Sequence, residues 1–230
     1  MTITTLSFDL DDTLWDPRPA LIAADKAQWE HLSTRFPNLS EHFTKDRVMG
    51  CRKRVIDKSP MIVGDVTALR IEVMEQLLLS LGVPADTTIS AAQDAFAAFM
   101  AHRNDVVLFP DAIDVLSDLA ERFTLIAITN GNADVHKTPL GPFFTLAFRA
   151  DEVGSAKPDA KIFEVAMSEA TCASNAMIHI GDSIETDVNG ALNAGVTPIW
   201  FNANGDENSL GVIEVRSLTD LPTAIDSLIA

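Results

Sequence analysis

The stretch Thr5-Leu6-Ser7-Phe8-Asp9-Leu10-Asp11-Asp12-Thr13 decides how this chain is read. Ile3–Phe8 has the composition of a short strand and runs directly into two carboxylates, Asp9 and Asp11, spaced i and i+2. On an extended chain those positions lie on one side. Asp9 and Asp11 can therefore face one reacting group or one cation. The same residues also suit a loop that N-caps a following helix. The rest of the chain has to choose between a nucleophile and a turn.

Three further polar clusters follow apolar runs. Leu125–Ile128 ends in Thr129-Asn130-Gly131, where a hydroxyl, an amide and a glycine-freed backbone suit hydrogen bonding to phosphate oxygens. By itself that cluster also reads as an ordinary strand-to-turn transition. Gly154-Ser155-Ala156-Lys157-Pro158-Asp159 precedes a helical pattern of Ile162, Phe163, Val165 and Ala166. Pro158 suits the first helical position, which places Lys157 at a helix N-terminus. The dipole there disfavours a cation unless an anion is held nearby, so the local conflict favours a working lysine over a solvated one. The last cluster is Ile178-His179-Ile180-Gly181-Asp182-Ser183, with Asp187 following and a helix expected over 186–194. Gly190, Ala191 and Ala194 would let that helix pack closely on a sheet. Asp182 also reads as a simple N-cap. His179, inside a strand pattern, reads as a satisfied core histidine rather than a ligand.

The runs Ile3–Phe8, Leu125–Ile128, Met177–Ile180 and Val196–Phe201 are short and continuous, as strands covered on both faces are. Helical patterns separate several of them, for example Ile113, Leu116, Leu119 and Phe123. This alternation predicts an α/β fold with a Rossmann-like parallel sheet. Ligands bind beyond the carboxyl ends of the strands in such sheets. All four polar clusters fall there and can converge. Residues 17–103 differ: they are helix-rich, with a stop at Gly82 and Pro84 after Leu77–Leu81 and a capping box expected at Ser90 and Gln93. The expected organisation is a core of residues 1–16 and 104–230 with a helical insertion at 17–103.

The order and spacing of FDLDDT at 8–13, ITNG at 128–131, Lys157 before Pro158, and Gly181-Asp182 with Asp187 resemble the haloacid dehalogenase superfamily of phosphohydrolases. The resemblance runs from Thr5 to about Phe201. It implies that the helical insertion is a small cap domain over the active site. It also implies that Asp9 is the nucleophile, forming an aspartyl-phosphate, and that Asp11 is the general acid and base. Thr129, Asn130 and Lys157 would bind the phosphoryl group. Mg²⁺ would be held by the Asp9 side chain, the Asp11 backbone carbonyl and Asp182. Asp187 would stand behind them, orienting Lys157 or metal-bound water. Dehalogenases of the superfamily lack the aspartate corresponding to Asp11, which counts against dehalogenation here.

The chain has 230 residues, of which 47% are hydrophobic, enough for a full core. No apolar stretch approaches the roughly 20 residues that span a bilayer. MTITTLSFDL lacks the basic and apolar regions of a signal peptide, and Cys51 and Cys172 are too few for a disulfide framework. These features predict a cytoplasmic protein with reduced thiols. The formal charge of −16 would repel nucleic acid and anionic membranes, so neither is an expected partner. A phosphate site must then be locally positive, as Lys157 and a divalent cation would make it.

The core motifs recognise only phosphate, so the choice among small phosphorylated metabolites falls to the cap and the loop after Thr13. Arg52, Lys53, Arg54 and Lys58 read as a solvated helix face, Arg70 stands out on an apolar helix, and Trp15 suits either stacking on a planar ligand or core packing. DVTALR at 65–70, Glu75-Gln76 and AITNGNA at 127–133 resemble bacterial phosphatases acting on FMN and on 5-amino-6-(5-phosphoribitylamino)uracil. A sugar-phosphate or phosphoglycolate phosphatase, a phosphomutase, and a non-catalytic binding protein on this scaffold are the alternatives. Nothing in the sequence signals an oligomeric state.

Overall fold

The computed structural model describes residues 2–229. They form two compact units: one holds the residues up to Pro17 and those from Val106 onward, the other spans Arg18–Asp105.

Among the described residues, the first unit is built on eight strands: β1 (Thr5–Phe8), β2 (Trp15–Asp16), β3 (Val107–Leu108), β4 (Thr124–Thr129), β5 (Leu146–Arg149), β6 (Met177–Gly181), β7 (Thr197–Phe201) and β8 (Ile213–Val215). Six form one sheet in the order β5-β4-β1-β6-β7-β8. All five pairings in it are parallel. β2 and β3 make a separate antiparallel pair. The sheet grows outward from β1 to β4 and β5, then returns to the other side of β1 with β6. The reversal lies beside β1, at the kind of point where open parallel sheets bind ligands.

Strand alternation explains why the apolar runs are unbroken. Leu6, Phe8, Leu125, Ala127, Ile178 and Ile180 join a cluster with Leu116 and Leu119 of α5 (Ala112–Ala120) and Leu221 and Ile225 of α9 (Leu221–Ile229). Ile126, Ile128 and Met177 point the other way. They pack with Ile162, Phe163 and Ala166 of α7 (Ala160–Glu169) and Ala191 of α8 (Asn189–Asn193). Every position of β1 and β6 is buried, on one face or the other.

The second unit contains α1 (Arg18–Arg35), α2 (Lys45–Lys58), α3 (Val66–Ser80) and α4 (Ala85–Arg103). Its two apolar clusters, one around Leu32, Met74 and Leu78 and one around Cys51, Val55 and Leu77, share Trp29 and Phe43. Arg70 lies 3.8 Å over the Phe99 ring and donates to Asp25 at 2.6 Å, so its place on an apolar helix has a local structural explanation. Arg52, Lys53, Arg54 and Lys58 are exposed along α2. No helix among the described residues is long and apolar enough to cross a membrane.

Several expected boundaries move. The first strand begins at Thr5 rather than Ile3. Ser90 is inside α4, not at its start: the helix begins after Pro84, and the Ser90 hydroxyl donates back to the Thr87 carbonyl, as serines within helices do. Ile113 is exposed, and Ala112, Val115, Leu116 and Leu119 form the buried stripe of α5. The helix expected over 186–194 is a π-helical turn, Ile184–Val188, followed by α8. A Cβ added to Gly190 would meet Phe163 at 3.0 Å and Pro158 at 3.2 Å, so Gly190 serves contact with α7, while Ala191 packs with Ile126, Ile128 and Met177 of the sheet. Pro158 precedes the N-cap of α7, Asp159, whose side chain accepts from the Lys161 N–H at 3.0 Å.

Phe8 is fully buried at the centre of this arrangement, edge-on to Phe144 at 6.1 Å. Phe8→Ala should lower unfolding stability by about 3–5 kcal/mol in a denaturant titration, because it removes both the transferred area and the packing around it.

Candidate active site

β1 delivers Asp9 at its carboxyl end, where the Asp9 N–H still extends the ladder to the Ile180 carbonyl at 2.8 Å. The chain then turns tightly: the Leu14 N–H bonds the Leu10 carbonyl at 2.9 Å and the Asp12 N–H bonds the Trp15 carbonyl at 2.9 Å. Asp12 takes a left-handed φ of 60°, which aspartate tolerates better than most residues. The turn brings Trp15 Nε1 to 2.7 Å from Asp11 Oδ1, as donor to the carboxylate. Trp15 itself is fully buried, so it is core and not a stacking platform.

Lys157 gathers the site. Its buried ammonium donates to Asp9 Oδ1 at 2.6 Å, Asp187 Oδ1 at 2.6 Å and the Ile128 carbonyl at 2.7 Å. Three N–H bonds thus find three acceptors from three separate segments. The conflict of a lysine beside a helix N-terminus is resolved differently from the sequence expectation. α7 begins three residues later, at Ala160, and protein carboxylates supply the anion. Asn130 also acts on this lysine: its Oδ1 accepts the Lys157 N–H and its Nδ2 donates to the Lys157 carbonyl, both at 2.8 Å. The Asn130 amide therefore holds the Lys157 backbone, a role for which spacing gives no signal. Thr129, the buried last residue of β4, accepts the Gly131 N–H at 3.0 Å, leaving its hydroxyl hydrogen available to a ligand.

β6 brings the remaining acids. Asp182 accepts from the Thr13 hydroxyl at 3.2 Å, and its backbone carbonyl accepts from Trp200 Nε1 at 2.8 Å. Asp187 turns back from the π-helical turn, and its Oδ2 accepts the Ser183 N–H at 2.9 Å. A Cβ on Gly181 would stand 2.3 Å from Asp187 Cγ, so only glycine lets this carboxylate lie against the strand. One oxygen from each of Asp9, Asp182 and Asp187 lies within 4.8 Å of the others. The fully buried His179 contacts Asp187 through Nε2 at 3.3 Å.

The electrostatics diverge across this cluster. Burial pushes the Asp9 carboxyl up to about 8; Lys157 opposes the rise, while Asp187 and Asp182 add to it. Burial and Asp187 push Asp182 up to about 6. Burial opposes the charge of Asp187 too, but Lys157 and the His179 N–H outweigh it and hold that carboxyl well below the usual range. Lys157 is raised, since Asp187 and Asp9 outweigh its own burial. Asp187 and Lys157 form the settled ion pair, and Asp9 and Asp182 are left with too little positive charge nearby, so each holds its proton more tightly than an exposed carboxyl does. A hard divalent cation would take the place of those protons on the all-oxygen donor set.

A parallel sheet with a carboxylate and lysine cluster at its reversal point defines a Rossmann-like α/β protein. The family model for haloacid dehalogenase-like hydrolases matches residues 3–195. The chain is 32% identical over 205 residues to the 5-amino-6-(5-phospho-D-ribitylamino)uracil phosphatase YigB of Escherichia coli (strain K12), spanning 89% of this chain and 86% of that protein. The crystal structure of a 2-haloacid dehalogenase from Pseudomonas syringae pv. Tomato DC3000 superposes with a TM-score of 0.91 at 34% identity, covering 98% of this chain and 99% of that one. The putative HAD-hydrolase YfnB of Bacillus subtilis, crystallised with magnesium, shares the fold at 22% identity and a TM-score of 0.68, over 98% of this chain and 100% of that one. The chain belongs to the haloacid dehalogenase-like hydrolases.

Asp9 rises from an ordinary value of 3.8 to about 8, so the folded protein keeps a proton that the unfolded chain releases. Without metal, this group's contribution to stability should fall as pH rises from about 4 towards 8. A divalent cation competes with that proton. Millimolar Mg²⁺ should therefore raise Tm more at about pH 8 than at about pH 5.5, measured by thermal shift at constant ionic strength.

Proposed function

We propose that this protein is a Mg²⁺-dependent phosphatase that hydrolyses a small phosphorylated metabolite through an aspartyl-phosphate on Asp9. The observation that carries the reading is the Lys157 ammonium fixed 2.6 Å from Asp9 Oδ1, with Asp11 two residues further on the same chain. Lys157 occupies Oδ1, which leaves Oδ2 of Asp9 to attack phosphorus. As that bond forms, the ester P–O bond breaks and the departing alkoxide takes a proton from Asp11. Trp15 Nε1 donates to Oδ1 of Asp11 at 2.7 Å and helps to orient that carboxyl. Asp11 then accepts a proton from the water that attacks the phosphorus of the aspartyl-phosphate, releasing inorganic phosphate and returning Asp9 to its carboxylate. The Thr129 hydroxyl and Lys157 would meet the negative charge on the phosphoryl oxygens. Mg²⁺ held by Asp9, the Asp11 carbonyl and Asp182 would neutralise the same charge and relieve the repulsion among the carboxylates.

The name of the Pseudomonas relative raises carbon–halogen hydrolysis as a second reading. A halide leaves without a proton, whereas an alkoxide needs one, so Asp11 has a use only in the phosphoester reaction. The residues 17–103 are proposed as the cap that sets substrate choice. FMN and 5-amino-6-(5-phosphoribitylamino)uracil are the proposed substrates, supported by the relative of 32% identity. The DVTALR resemblance adds less, because Asp65 N-caps α3 through the Ala68 N–H at 2.8 Å and Arg70 pairs with Asp25, both local structural roles.

A phosphate-release screen over a metabolite panel, with Mg²⁺ or EDTA, tests this reading. Preference for sugar phosphates or phosphoglycolate would overturn the substrate, return of the phosphoryl group to substrate would indicate a phosphomutase, and halide release from 2-haloacids without phosphate release would overturn the class. Asp9→Asn should abolish turnover while leaving a cooperative melt. Asp11→Asn should lower kcat by about 10²–10⁴ on an alkyl phosphate and far less on p-nitrophenyl phosphate, whose leaving group needs little protonation.

A further inference from the structure

We propose that Ser7 and His179 form a buried hydrogen-bond relay that positions Lys157 through Asp187, which makes His179 a positioning residue for the reaction proposed above. Ser7 and His179 sit opposite each other in the β1–β6 register, and both are fully buried. Ser7 lies two residues before Asp9, on the same side of β1. A polar pair at the centre of a parallel sheet destabilises the fold unless each polar atom is satisfied. Here each is.

An ionised carboxylate only accepts, so the hydrogen between His179 Nε2 and Asp187 Oδ1, at 3.3 Å, belongs to the imidazole. In the neutral ring Nδ1 is then an acceptor, and the Ser7 hydroxyl, which also lies 3.3 Å from the Ile178 carbonyl, donates to Nδ1 across the shorter 2.9 Å contact. The relay reads Ser7 to His179 to Asp187, and Asp187 Oδ1 takes the Lys157 ammonium on its other side at 2.6 Å. The Ser183 N–H holds Oδ2. Three donors from β6, its loop and the Lys157 segment thus set the plane of one carboxylate. Phe163 stands edge-on to the imidazole, 4.9 Å away with an interplanar angle of 89°, and limits its rotation. Removing the imidazole N–H frees Asp187 to turn about its own side chain and carry the ammonium with it. Lys157 would then leave the position that aims Asp9, and small displacements of this kind lower rates steeply.

A residue that only fills space would be replaced without kinetic effect by an apolar side chain that still folds. A positioning residue would not. With p-nitrophenyl phosphate and saturating Mg²⁺, His179→Leu should lower kcat by about 10–100-fold while KM changes by less than about threefold. His179→Gln places an amide N–H close to the Nε2 position and should recover most of the lost kcat. Ser7→Ala, a smaller change that keeps the strand, should lower kcat by about 3–10-fold and provides the reading if His179→Leu does not fold. Wild-type kcat in His179→Leu or, where that variant is unfolded, in Ser7→Ala overturns the relay. Equal impairment of His179→Leu and His179→Gln also overturns it, since packing alone would then explain the residue. In either case an active wild-type protein leaves the phosphatase reading standing. A wild-type protein that releases no phosphate from any ester would instead remove both.

Discussion

One ammonium group holds this site together. Lys157 is buried and donates to Asp9, Asp187 and the Ile128 carbonyl. Removing a charge from water is costly, and the loss is offset only when its partners are close and its hydrogens are all used. That requirement ties the ends of β1 and β4 to the loop after β6. Shifting any of the three would leave a buried charge unmatched.

The sheet makes this possible by burying its apolar residues on both faces and letting its polar ones share a single end. Leu6 and Phe8 go into the cluster with α5 and α9, while Ser7, between them, goes to the other side and meets His179. The parallel register then carries Asp9 and Asp182 beyond the strands together. Around them the supports are mostly other residues' polar groups: Asn130 on the Lys157 backbone, Thr13 and Trp200 on Asp182, Trp15 on Asp11. Gly181 contributes by having no side chain, which lets Asp187 lie against β6. The arrangement leaves Asp9 and Asp182 short of positive charge, and that shortage is what a divalent cation and a phosphoryl group would meet.

The sheet, the helical insertion and the acids at the strand ends were legible from the chain because they depend on short-range pattern. Unbroken apolar runs report burial on two faces, and Gly or Asp at their ends reports where a strand stops. Helix starts were less legible. Ser90 looked like a cap by spacing, yet the helix began earlier, since Pro84 and Asp86 supply the start. The helix after Asp182 began with a wider π turn, which periodicity does not foresee. Asn130 and Lys157 each stand in a legible motif, but their hydrogen bonds to each other join residues 27 apart, and no local rule reports such a pair.

The linear sequence by itself determined which residue types stand at the ends of which strands, because alternation, turn chemistry and charge act over a few neighbouring positions. Tertiary structure alone decided their partners. It turned His179 from one buried histidine in a strand into a contact of Asp187, and Trp15 from a candidate platform into the donor on Asp11. The reason is physical: a buried polar atom is defined by what closes around it, and strands adjacent in this sheet are distant along the chain.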